Sequence, residues 1–123
     1  MKIIIDAMGG DNAPQAPVEA AVKAVETLDV DIVLVGDTER LKAEVKKYGK
    51  KSDRITYAQA DDIISNHEEP AMAVRSKKNA SVVVAARMLK NGDGDAMLSM
   101  GNTGALLAAG LLIVGRIKGV LRP

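Results

Sequence analysis

No cysteine, phenylalanine or tryptophan occurs in this sequence, and its aromatic residues are two tyrosines. The lack of cysteine excludes disulfides, thiolate zinc sites and cysteine nucleophiles, and fits a reducing, cytoplasmic setting. With so few aromatics the core falls to Ile, Val, Leu, Ala and Met, and the stacking platforms that hold single-stranded nucleic acid are missing. Charge of one sign is also lacking: 17 basic and 16 acidic residues leave +1. No overall field draws the chain to DNA or RNA, and no nucleic-acid partner is expected. Long apolar runs are absent too. The uncharged stretch Gly104 to Gly115 has 12 residues, short of the roughly 20 that a bilayer span requires. It reads as a buried helix or one that packs on a partner. Met1-Lys2 runs directly into Ile3-Ile4-Ile5-Asp6, without a signal-peptide pattern.

What is present suits a single soluble α/β domain over residues 1–123. Lys2 to Ile5 and Asp31 to Val35 are β-branched runs, apolar on both faces, as in buried parallel strands. Val18, Ala21, Val22, Val25 and Leu28 repeat at helical spacing after Pro14 and Pro17. Thr38 is the expected N-cap of a helix to Tyr48, stopped by Gly49. Lys46, Lys47, Lys50 and Lys51 end that helix, complement its dipole and need no ligand. Arg54 to Ala58 reads as a third strand, Asp61 to Pro70 as polar and irregular, and Ala71 to Arg75 as a short helix. Ser81 is expected to cap a helix through Leu89, and Asp95 to Ser99 is the fourth strand. Strands alternating with helices predict a parallel sheet covered on both faces, with ligands beyond the C-terminal strand ends. Pro123 falls where another element should start, so the sequence is expected to be the front of a longer protein.

Two loops fall on that rim. Ser99-Met100-Gly101-Asn102-Thr103-Gly104 sits between a strand and the apolar run Ala105 to Val114. Its glycines let the backbone approach a ligand, Asn102 or Thr103 can cap the helix, and the first-turn amides can seat an anion. The other loop, Asp6-Ala7-Met8-Gly9-Gly10-Asp11, lacks the G-x-G-x-x-G of a dinucleotide site. Its acids can hold a metal or a hydroxyl, although such acids more often cap backbone amides. Arg75, Lys77 and Lys78 supply cations that can meet an oxyanion. His67, the single histidine, reads as a surface residue, and Asp61-Asp62 and Glu68-Glu69 as solvated pairs. Met8, Met72, Met88, Met97 and Met100 read as core or pocket lining. Anion-binding parts without an evident protein nucleophile suit chemistry in which phosphate or a carboxylate is the reactant.

Four stretches in this order resemble the bacterial phosphate acyltransferase family: Asp6 to Asp11, Val74 to Ser81, Ser99 to Ala105 and Val114 to Gly119. The resemblance implies a three-layer α/β/α, Rossmann-like sandwich with a mainly parallel sheet, related to the isopropylmalate dehydrogenase and phosphotransacetylase folds. It implies transfer of a long-chain acyl group from acyl carrier protein to inorganic phosphate, without cofactor or metal. The acyl phosphate then feeds a membrane glycerol-3-phosphate acyltransferase. Family members are homodimers that touch the inner membrane face peripherally. The implied phosphate- and substrate-binding set is Asp6, Gly9, Gly10, Asp11, Arg75, Lys77, Lys78, Ser81, Ser99, Gly101, Asn102, Thr103 and Gly104. Met100 stands where the family more usually has Ala, and Asn79-Ala80-Ser81 where two serines are common. Family chains are far longer, so this stretch alone is expected to be inactive. A nucleotide-binding dehydrogenase of related fold and a non-catalytic carrier-protein-binding module are the alternatives.

Overall fold

A computed structural model describes residues 1–49 and 52–122; Lys50 and Lys51 of the basic block, and Pro123, lie outside them. Strand β1 (Lys2–Asp6) is followed by α1 (Gln15–Thr27), β2 (Asp31–Gly36), α2 (Thr38–Lys46) and β3 (Ile55–Gln59). Helices α3 (Pro70–Ser76) and α4 (Ser81–Lys90) lead to β4 (Ala96–Ser99) and α5 (Thr103–Ala109), which runs on into a π turn, Gly110–Val114. The strands form one parallel sheet in the order β3-β2-β1-β4.

Side-chain alternation divides the core. Ile5, Ile32 and Leu34 point to one face, against Val18, Ala21 and Val22 of α1 and Leu41 and Val45 of α2. Ile4, Val33 and Val35 point to the other face, against Ala85 of α4. Both faces are therefore buried, which is why β1 and β2 read as unbroken apolar runs. Beyond α4, small side chains let helices approach closely: Ala73 of α3, Ala86 of α4, and Ala105, Ala108 and Ala109 of α5 share a third cluster. The architecture is the α/β, three-layer arrangement that the pattern predicts.

After β1 the chain crosses to β2 on the α1 face, and after β4 it leaves on the opposite, α5 face. The strand order thus reverses between β1 and β4, and in open parallel sheets ligands bind at such a point. β4 is an edge strand among the described residues, and its Leu98 is exposed.

Several local expectations shift. Asp37, not Thr38, caps α2, accepting from the Arg40 amide, because Gln59 takes up the Thr38 hydroxyl (2.8 Å). Ser81 does not cap α4: it is the first helical residue, buried, and Ala80 occupies the cap position without a side-chain bond. The backbone of Asp62 runs beside residues 79–81 and accepts from the Ser81 amide (3.0 Å), so a tertiary contact replaces the local cap. Asn102 is the cap of α5, accepting from the Ala105 amide at 3.0 Å. The apolar run after it is not wholly buried: its alanines face inward while Leu107 and Leu112 are half exposed. Met72 is exposed as well, lying outside the core predicted for it.

Candidate functional site

At the switch point Asp6 and Ser99 are register partners on neighbouring strands. The Asp6 carboxylate is buried, at 2% exposure, and both its oxygens are occupied. Oδ1 accepts from the amides of Met8 (3.3 Å) and Gly9 (3.1 Å), while Oδ2 accepts from the Ser99 hydroxyl (2.7 Å). The Ser99 oxygen in turn accepts from the Gly101 amide at 3.2 Å. These bonds draw the two glycine loops into contact. A Cβ built on Gly101 would lie 3.1 Å from Gly9 Cα, and Gly10, at φ +110°, would set a Cβ 3.0 Å from the Met100 carbonyl oxygen. Only glycine fits a left-handed backbone under such contact. Among the described residues, no hydrogen bond engages the amides of Met100, Asn102, Thr103 and Gly104, and the last three follow the pinned Gly101.

The loop after β3 closes the other side. The Asn102 side-chain amide donates to the carbonyls of Ser65 (3.0 Å) and Glu68 (3.3 Å), and Asn66 reaches Asp11 at 3.5 Å. Gly104 packs against Pro70, the first residue of α3. Two small cavities flank Gly10-Asp11. One, of about 170 Å³, is lined by Gly9, Asn12, Pro17 and Met100; the other, of about 270 Å³, by Met8, Ile64, Ser65, Asn66 and His67. Both are below the usual 300–1,000 Å³ of a drug-sized ligand site; Asp11 is in both walls, and Asn102, Thr103 and Gly104 are in neither. A larger apolar groove, of about 460 Å³ between Leu89, Met97, Leu111, Val114 and Ile117, touches none of the predicted phosphate-site residues.

The predicted site residues therefore divide. Asp6, Gly9, Gly10, Ser99 and Gly101 form one cluster; Asn102, Thr103 and Gly104 continue it, and Asp11 borders both cavities. Lys77 turns to Glu68 (2.7 Å), to the Ile63 carbonyl (3.0 Å) and, more distantly, to Asp62. Arg75 and Lys78 are exposed, and among the described residues no hydrogen bond or ion pair engages their side chains. Ser81 is buried at the start of α4. His67 is exposed, as the sequence predicts, but it also stands in a cavity wall with Ser65 and Asn66, and no local sequence pattern marks any of the three as a site residue. The signal available was topological: a loop leaving the C-terminal end of β3 belongs on the same rim as the loops after β1 and β4.

Glu68 and Glu69 are not simply solvated. Glu69 caps α3, accepting from the amides of Ala71 (3.2 Å) and Met72 (2.6 Å). Glu68 accepts from the Ser65 amide at 2.7 Å while it pairs with Lys77. The Lys77 hydrogen bond, with that of the Ser65 amide, holds the Glu68 carboxyl below the usual glutamate range. The same pair raises the Lys77 ammonium above its ordinary range. The depressed Glu68 contributes at neutral pH and loses its contribution as pH falls through its folded value. The raised Lys77 loses its contribution only as pH climbs through the alkaline lysine range. Acidification is therefore expected to lower the protection of the Ser65 amide, its exchange measured against the intrinsic rate at each pH, before that of the sheet amides. Exchange followed by NMR against pH checks this; a Ser65 amide that tracks the sheet would contradict it.

With the geometry fixed, likeness to other proteins decides the family. The sequence profile of the family described as "Fatty acid synthesis protein" matches residues 1–123. The chain belongs to the fatty acid synthesis protein family. Within reach of that family, the chain is 56% identical over 123 residues to a phosphate acyltransferase of Streptococcus equi subsp. zooepidemicus, covering 99% of this chain and 36% of that protein. It is 49% identical to the phosphate acyltransferase of Clostridioides difficile, over 100% of this chain and 36% of the relative. The Bacillus licheniformis phosphate acyltransferase is 51% identical, again with 100% and 36% covered. These relatives carry the name that the four motifs suggested. The chain spans about a third of their length, and no helix among its described residues is long and apolar enough to cross a membrane.

Proposed function

We propose that this chain carries the phosphate-binding part of an acyltransferase that makes long-chain acyl phosphate from acyl–acyl carrier protein and inorganic phosphate, for bacterial phospholipid synthesis. The observation that supports this most is identity of 49–56% to phosphate acyltransferases along the whole chain. Phosphate lies against the free amides of Asn102, Thr103 and Gly104, with Arg75 and Lys78 supplying positive charge. One phosphate oxygen attacks the thioester carbonyl, and the C–S bond breaks as the tetrahedral intermediate collapses. The phosphate proton leaves with the carrier thiol. Backbone amides and cations stabilise the oxyanion, and no acyl-enzyme forms. The product passes to a membrane glycerol-3-phosphate acyltransferase, and the working enzyme is a homodimer at the inner membrane face. Turnover by this chain alone is not expected, since it spans 36% of its relatives' length.

Amide spectra of the labelled chain, titrated with phosphate and in parallel with NADH, test the reading. Shifts specific to phosphate are expected at residues 101–104. The Arg75→Ala, Lys78→Ala double variant should weaken phosphate binding tenfold or more, about what one charge-assisted hydrogen bond is worth. Unchanged binding removes these cations from the site. A response to NADH alone selects a dehydrogenase, and carrier-protein binding without any phosphate response selects a docking module.

A further inference from the structure

The buried Asp6 sits beside the loop that is read as an anion seat, where an acid is electrostatically out of place. We propose that Asp6 is a positioning residue: it acts through Ser99 to fix the Gly101 amide, and so the donors that follow it, without touching the anion. This rests on the phosphate reading given above. Both Asp6 oxygens are occupied from within the chain, and the residue is 2% exposed. The Ser99 hydroxyl has one hydrogen, and it lies on the 2.7 Å bond to Asp6. Its oxygen is thereby left as an acceptor, and the Gly101 amide fills it at 3.2 Å. Carboxylate, hydroxyl and amide form one directed chain, each link polarising the next. Ser99 consequently has no hydrogen to offer phosphate. The amides of Asn102, Thr103 and Gly104 remain free because the loop is pinned one residue before them. The same carboxylate holds the β1 loop through the Met8 and Gly9 amides, so one group sets both walls of the switch point.

Positioning and charge predict opposite results for the isosteric variant. In Asp6→Asn, the new carbonyl can still accept from Met8 and Gly9, and the new NH₂ can donate to the Ser99 oxygen. The link survives and the charge does not. Phosphate affinity of Asp6→Asn should stay within about threefold of the parent chain, while Asp6→Ala and Ser99→Ala each lose tenfold or more. The Asp6→Ala, Ser99→Ala double variant should be no worse than Asp6→Ala alone, because Ser99 acts only through the link that Asp6→Ala already breaks. The parallel readout is hydrogen exchange at the Gly101 amide, at least tenfold faster in Ser99→Ala and Asp6→Ala and near parental in Asp6→Asn. Ser99→Ala keeps Asp6 and its two backbone bonds, so it reports on the link even if Asp6→Ala does not fold. Equal losses in Asp6→Asn and Asp6→Ala would overturn the proposal in favour of a role for the charge. Additive losses in the double variant, or an unchanged Gly101 amide, would overturn it too. If the parent chain shows no phosphate response while Gly101 exchange follows this pattern, the link stands and the phosphate reading fails.

Discussion

Alanine at Gly9 is expected to destabilise the chain by about 1–3 kcal/mol, the range of overpacking in a closed interior, and to abolish the phosphate response. The added Cβ would lie 2.6 Å from Asp6 Oδ2 and 3.1 Å from the Gly101 nitrogen. Neither neighbour can step aside. The carboxylate is tied to Met8, Gly9 and Ser99, and the Gly101 nitrogen is backbone, bonded to Ser99. Relief therefore requires the β1 and β4 loops to part at the switch point. Gly36 makes the useful contrast. A Cβ there would come within 2.4 Å of Met8 Cγ and 3.2 Å of Leu41 Cδ1, a closer approach, but these neighbours are side chains, and an unbranched methionine can take another rotamer where the paired backbone at Gly9 cannot shift. Gly36→Ala should lower stability less and leave residues 101–104 unperturbed. Urea denaturation paired with phosphate titration checks both variants, and equal effects at the two glycines would contradict the distinction.

This contrast also shows what was legible in the sequence. That Gly9 and Gly101 lie in turns after strands follows from local pattern, since the apolar runs Ile3 to Ile5 and Ala96 to Leu98 mark β1 and β4 and chain order places their exits on one rim. That the two glycines touch does not follow. Contact depends on β4 pairing with β1, and periodicity reports which face a residue occupies, never which strand lies beside it. Caps shifted for a related reason. Asp37 and Thr38 are both good capping residues, and the choice was made by Gln59, 21 residues away from Thr38. Glu68 and Glu69 look alike in sequence, yet one pairs with Lys77 and the other caps α3. Arg75, Lys77 and Lys78 form one basic cluster in sequence; folding turns Lys77 inward to Glu68 and leaves Arg75 and Lys78 exposed.

Leu34→Ala carries the other large effect, a loss of about 2–5 kcal/mol from the roughly 5–15 kcal/mol typical of a domain. Leu34 is wholly buried on the α1 and α2 side of the sheet, among Val18, Ile32, Leu41 and Ile55. No phenylalanine or tryptophan exists anywhere in the chain to swing into the void, and β-branched neighbours are stiff about χ1. Met8 is the flexible member of that cluster. Its backbone, however, is held by the Asp6 carboxylate at 3.3 Å, so its side chain can move into the cavity while the loop stays in place. The expected result is a lower urea midpoint with an unchanged slope, together with unshifted amides at Gly101 to Gly104. A loss below about 1 kcal/mol, the cost of a tolerated volume-conserving swap rather than a deletion, would show that this interior is looser than its burial implies. Shifted loop amides would instead show that core and site move together, and that the Asp6 link is too weak to isolate one from the other.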